Sequence, residues 1–170
     1  MALKLKEFAL KRGIFSACVA GVINIIIVYL ALQGKGEVPL FASVAEIWNH
    51  SLIGALIPRS IIISFIITVT TMYATAKEVS TKSADISTKL EKSSWIKIAL
   101  QKAMIRALIA FISVIVFAYI LRLIFPTYAT LSVGIVIPFV GIFAALVAFS
   151  MTYSAVFSTG KILVSKYEGN

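Results

Sequence analysis

One cysteine, one histidine and seven acidic residues are all that this 170-residue sequence holds of the side chains most used in redox, metal and acid–base chemistry. A lone Cys18 excludes an intramolecular disulfide and any Cys-x-x-Cys couple. His50 has only Glu46 at helical spacing, which is short of the three or four ligands a metal site needs, so no metal and no cofactor are expected. No Gly-rich phosphate loop and no Ser with a His–Asp pair is present, and an enzyme is not expected.

The missing acids have a second consequence. Four apolar runs, Ile14–Leu32, Leu52–Tyr73, Ala107–Phe125 and Leu131–Phe157, contain no Asp or Glu at all. Proton-coupled exchange normally relies on such an intramembrane carboxylate, so its simplest form is excluded. Each run approaches or exceeds the roughly 20 residues that a helix needs to cross about 30 Å of hydrocarbon. With 60% hydrophobic residues, a chain of this length holds more apolar surface than one water-soluble core would enclose. Barrel strands would alternate apolar and polar, and Ile25–Val28 and Ile61–Ile63 do not. The expected fold is an all-α integral membrane domain of four transmembrane helices spanning residues 1–170. The first run is too long for a signal-peptide core and lacks an A-x-A site, so it reads as an anchor.

Lys and Arg are distributed unevenly. Lys4, Lys6, Lys11 and Arg12 precede the first span, seven lie from Lys77 to Arg106, and Lys161 and Lys166 follow the last, while only Lys35, Arg59 and Arg122 fall on the other side. By the positive-inside bias both termini are expected in the cytoplasm, in a multi-pass protein of the cell membrane. The net charge of +9 lies beside membrane spans, which points to anionic lipid headgroups and not to nucleic acid.

The second and fourth spans match at an offset of 80: Gly54, Ile57, Pro58, Ile62 and Tyr73 align with Gly134, Ile137, Pro138, Ile142 and Tyr153. Both run in the same direction, so the pattern suggests a parallel repeat of a helical hairpin. Outside, the loop Gln33–His50 carries Phe41, Val44, Ala45 and Trp48 at helical spacing and reads as a short interfacial helix, whereas Pro126–Thr130 is a bare turn. Inside, the basic connection Lys77–Gln101 lacks Pro and Gly and places Val79, Ile86 and Leu90 on one face, a helical continuation able to dock a partner protein.

The most regular polar pattern is in the second span. Ser60, Ser64, Thr68, Thr71 and Thr75 form a strip about 80° wide at 100° per residue. Such a strip either lines a polar path or bonds to nearby backbone and neighbouring helices, at about 0.6 kcal/mol per contact. Small residues suited to close packing are Ser16, Ala20 and Asn24 in the first span and Gly134, Gly141, Ala145, Ala148 and Thr152 in the fourth, which places spans one, two and four at the centre and three toward lipid. Arg59 and Arg122, near the outer ends, are candidate contacts for an anion or headgroup, although snorkelling explains them as well. Two functions fit these features. One is an oligomeric transport or pore-forming protein with a Ser/Thr-lined path, since four helices cannot enclose it alone. The other is a non-transporting scaffold or accessory subunit that packs through small faces and recruits a partner through the cytoplasmic helix.

Overall fold

A computed structural model of the chain describes residues 2–41, 51–82, 92–126 and 128–167. Long apolar runs become long helices: α1 (Ala2–Ala31), α2 (Leu52–Lys82), α3 (Lys92–Ile124) and α4 (Val133–Tyr167), joined on one face by two short strands, β1 (Glu37–Pro39) and β2 (Thr130–Ser132). All four are long and apolar enough to span a membrane, the most apolar stretches being Lys6–Ala31, Leu52–Glu78, Trp95–Ile124 and Val133–Ile162.

The helix ends follow from local chemistry. After α1, Leu32 donates to the Val28 carbonyl and Gly34 takes a left-handed φ of 80°, a conformation that glycine adopts without a Cβ clash. The chain then turns into β1. Ser51 starts α2 by accepting the Gly54 amide on its Oγ at 3.0 Å, and Ser132 accepts the Gly134 amide at 3.3 Å at the start of α4. Both helices run through their prolines, Pro58 and Pro138, without a break in assignment.

The strands pair antiparallel, with Glu37 opposite Ser132, Val38 opposite Leu131 and Pro39 opposite Thr130. Thr130 also donates to Glu37 Oε2 at 2.7 Å. The bare turn expected at Pro126–Thr130 therefore leads into a ribbon. The expected interfacial helix and the seam residues Ile86 and Leu90 lie outside the described residues.

Packing places α2 and α4 at the centre. Thirty-nine per cent of the apolar window of α2 and 28% of that of α4 is buried, against 17% for each of α1 and α3. The main helix contacts are α1 on α4, α4 on α2 and α2 on α3. This corrects the expectation that α1 joins the centre while α3 alone faces lipid. Glycines let α1 come close to α4, but a close approach through small side chains covers only a narrow face. Phe15, Val22, Ile26 and Leu30 remain exposed on α1.

Seven buried positions of α2 have buried counterparts at a constant separation in α4. Leu56, Ser60, Ser64, Thr68, Met72, Thr75 and Ala76 are buried in α2, as are Val136, Val140, Ala144, Ala148, Thr152, Ala155 and Val156, each 80 residues later, in α4.

Candidate functional site

The hydroxyl strip is drawn inside the chain. Ser60, Ser64 and Thr68 are fully buried, and Thr71 and Thr75 are nearly so, on the α2 face that packs against its neighbours. Its flanks locate it. Toward the ribbon, Leu56 shares a cluster with Val136 and Val140 of α4, and toward the termini Met72 shares one with Ala155. Both clusters also hold residues of α3, Val114 in the first and Trp95 and Ala99 in the second, so Ser60–Thr71 lie between these two points where α2 packs against both α3 and α4. The α4 side contributes Ala144 and Ala148, and further along the buried hydroxyls of Thr152 and Thr159.

The bonding of these hydroxyls separates them from the other Ser and Thr of the helices. Ser60, Thr70, Ser113, Ser154 and Ser158 all donate to a carbonyl one turn back on their own helix, at 2.8–3.2 Å. Ser64, Thr68, Thr75, Thr152 and Thr159 are buried with no hydrogen-bond partner among the described residues. A buried hydroxyl without a partner costs about 1–3 kcal/mol, so this row is a concentration of unfavourable polar burial along the central contact.

The small residues behave unequally. A methyl on Gly13 would lie 2.9 Å from the Phe149 ring, and one on Gly21 would lie 3.3 Å from Ala145 Cβ, so α1 and α4 cross antiparallel at van der Waals distance. Gly141 faces Ile25 at the same crossing. Ser16 and Ala20 are half-buried, while Asn24 is buried and donates from Nδ2 to the Ala20 carbonyl at 2.8 Å. Its amide is thus satisfied within α1. Gly134 is exposed in the first turn of α4, where its place is at the serine cap and not at a helix contact.

Arg59 and Arg122 line different crevices near the ribbon. Arg59 borders one of ≈ 200 Å³ with Val28, Leu32 and Val136, and donates to the Ala55 carbonyl at 2.8 Å. Arg122 borders one of ≈ 300 Å³ with Phe41, Gly54 and Tyr119, and Ser51 touches both. They form no common site with each other.

Two cationic contacts at the opposite end of the bundle were not singled out from the sequence. Arg12 of α1 pairs with Glu78 of α2 at 2.9 Å, its guanidinium also lying over the Phe8 ring. Arg106 of α3 reaches α4, where Nη2 donates to the Ser154 carbonyl and to Ser158 Oγ, both at 2.9 Å. A stripe of small residues at four-residue spacing, Ala99, Ala103 and Ala107 after Trp95, was the available signal that α3 begins well before Ala107 and carries Arg106 within it. No protein-family model, curated protein or solved structure matches this chain.

Proposed function

We propose that the protein is a membrane scaffold or accessory subunit, built from a duplicated helical hairpin, with both termini and the α2–α3 connection in the cytoplasm. The observation that carries this reading is the complete burial of Ser60, Ser64 and Thr68 between helices of one chain. A strip used up in this way has no surface left to offer an oligomeric pore. Neither of the two crevices described above is bordered by Ser64 or Thr68.

Three observations support the duplication. Gly54 and Gly134, 80 apart, each donate to a preceding serine, though Ser51 stands three residues before its glycine and Ser132 two; seven buried positions recur at 80, and the ribbon is centred on Val38 opposite Leu131, 93 residues apart. An axis passing through the ribbon and down between α2 and α4 exchanges the halves, with the extra residues of the first outer loop accounting for the change of offset. The positive-inside bias supports the orientation. The partner surface is then the basic Lys77–Gln101 connection, with any homo-oligomer formed through the exposed apolar faces of α1 and α3.

One observation favours transport as a second reading. Five unpartnered hydroxyls in the α2–α4 contact would gain hydrogen bonds if the helices parted and water entered, so the contact would be the closed state of a path within one chain. Flux separates the readings. Liposomes holding the purified protein are expected to shrink in glycerol, urea or glycine at the rate of empty liposomes. Faster solute entry that Thr68→Val removes would replace the scaffold by the transporter.

A further inference from the structure

We propose that the crevice between α3 and α4 holds one anionic phospholipid, with its phosphate at Arg106 and an acyl chain along the apolar walls. The two halves of the bundle close their ends differently. On one side the guanidinium of Arg12 meets the carboxylate of Glu78. On the other, Arg106 meets Ser158, which stands 80 residues after Glu78 and carries no charge. Among the described residues, one cation is therefore paired with an acid and the other is not. Nη1 of Arg106 is moreover buried with no hydrogen-bond partner among the described residues, a donor that a phosphate reaches once the guanidinium turns toward the crevice.

Above Arg106 the two helices separate. The crevice between them has a volume of ≈ 490 Å³, with Ile109, Val114 and Phe117 on one wall and Phe139, Phe143 and Leu146 on the other. Ile109 and Ala110 lie one turn after Arg106, and Ser150 and Met151 one turn before Ser154, so the Arg106 bridge lies one turn beyond the terminal-side end of this space. From Ile124 back to Arg106 the helix rises about 27 Å, so a hydrocarbon slab of about 30 Å that begins at Ile124 ends near Arg106, within the longer apolar stretch Trp95–Ile124. Lys102, one turn further out and exposed, adds a second positive charge. A charge at the headgroup level continuous with an apolar slot into the bilayer matches the two ends of a phospholipid and not a free anion. If the basic side is cytoplasmic, as proposed above, it also faces the leaflet where anionic lipids concentrate.

The test is native mass spectrometry of the protein released from nanodiscs of equal phosphatidylglycerol and phosphatidylcholine content. Both phosphates accept the same hydrogen bond, but the choline ammonium cancels the charge of phosphatidylcholine, so the native chain should retain one phosphatidylglycerol with about a tenfold preference set by net charge at Arg106 and Lys102. Arg106→Gln should bring the preference near parity. Ser158→Glu should do the same by neutralising Arg106 in place, and it guards against Arg106→Gln acting by misfolding. Ala110→Phe should remove the bound lipid by filling the slot, while Arg12→Gln should leave it. Equal retention by the native chain, Arg106→Gln and Ser158→Glu overturns the proposal. So does displacement of the lipid by millimolar inorganic phosphate, which marks a free-anion site, or a lipid-free dimer, which marks a second copy in the crevice.

Discussion

Gly141→Ala is expected to destabilise the bundle by about 1–3 kcal/mol, the usual cost of forcing atoms into a filled contact. The new methyl would collide with Cγ1 of Ile25, lie 2.7 Å from its Cδ1 and 3.4 Å from the Gly21 carbonyl oxygen. Ile25 is β-branched and stiff about χ1, and the Gly21 oxygen belongs to the backbone of α1, so neither yields without moving the helix. The collision makes a further outcome specific. Ile25→Ala in the same chain opens room for the methyl, and the double variant should recover most of the loss, a coupling of opposite sign to the single effects. Thermal unfolding in detergent micelles measures all three variants. A Gly141→Ala protein as stable as the native one would mean that α1 does not lie against α4 at this point.

The second large effect runs against the ordinary direction of core substitution. Thr68→Val, Thr75→Val and Thr152→Val keep the side-chain shape and remove three buried hydroxyls that make no hydrogen bond. An unpaired buried hydroxyl costs about 1–3 kcal/mol, so the triple variant is expected to unfold at a higher temperature, with a gain on the order of 1 kcal/mol per site. From the sequence alone, the strip read as interhelical bonding predicts a loss of about 0.6 kcal/mol for each hydroxyl removed. The sign of the change therefore decides whether the hydroxyls bridge helices or are confined without partners. Unfolding in the same micelles measures it, and a summed loss near 2 kcal/mol would restore the bonding role.

The sequence discloses the spans because each is a long apolar run without acids, and the strip because its period matches a helix face. It does not say which neighbour that face meets. The burial of Ser64 and Thr68 depends on α2 lying beside α3 and α4, an order that arises from contacts such as Leu56 with Val114 and Val136 in one cluster, which connect distant parts of the chain. The ribbon was illegible for a related reason. Three-residue strands carry almost no local pattern, and Val38 finds Leu131 only once the helices have brought the ends together. Arg106 was hidden by its company. Lys97, Gln101 and Lys102 assign the stretch to the cytoplasmic connection, although Trp95, Ala99 and Ala103 already form a buried stripe at helical spacing. Among the small residues, Gly141 was legible by its pattern and Gly134 was misleading, because a glycine in a first helical turn serves a cap as readily as a contact.

The central claim is that the hydroxyl strip is sealed within one chain, and thiol reactivity in the membrane tests it most directly. Only the thiolate reacts with a methanethiosulfonate reagent, and a thiolate forms where water reaches. Cysteines placed singly at Ser64 and Thr68, in a Cys18→Ala chain in intact cells, should remain unmodified by a small water-soluble reagent. A cysteine at Lys35, on the exposed turn after α1, should react quickly from outside. Modification at Ser64 and Thr68 at a rate approaching that at Lys35 would contradict the account, because it would place water along the α2–α4 contact.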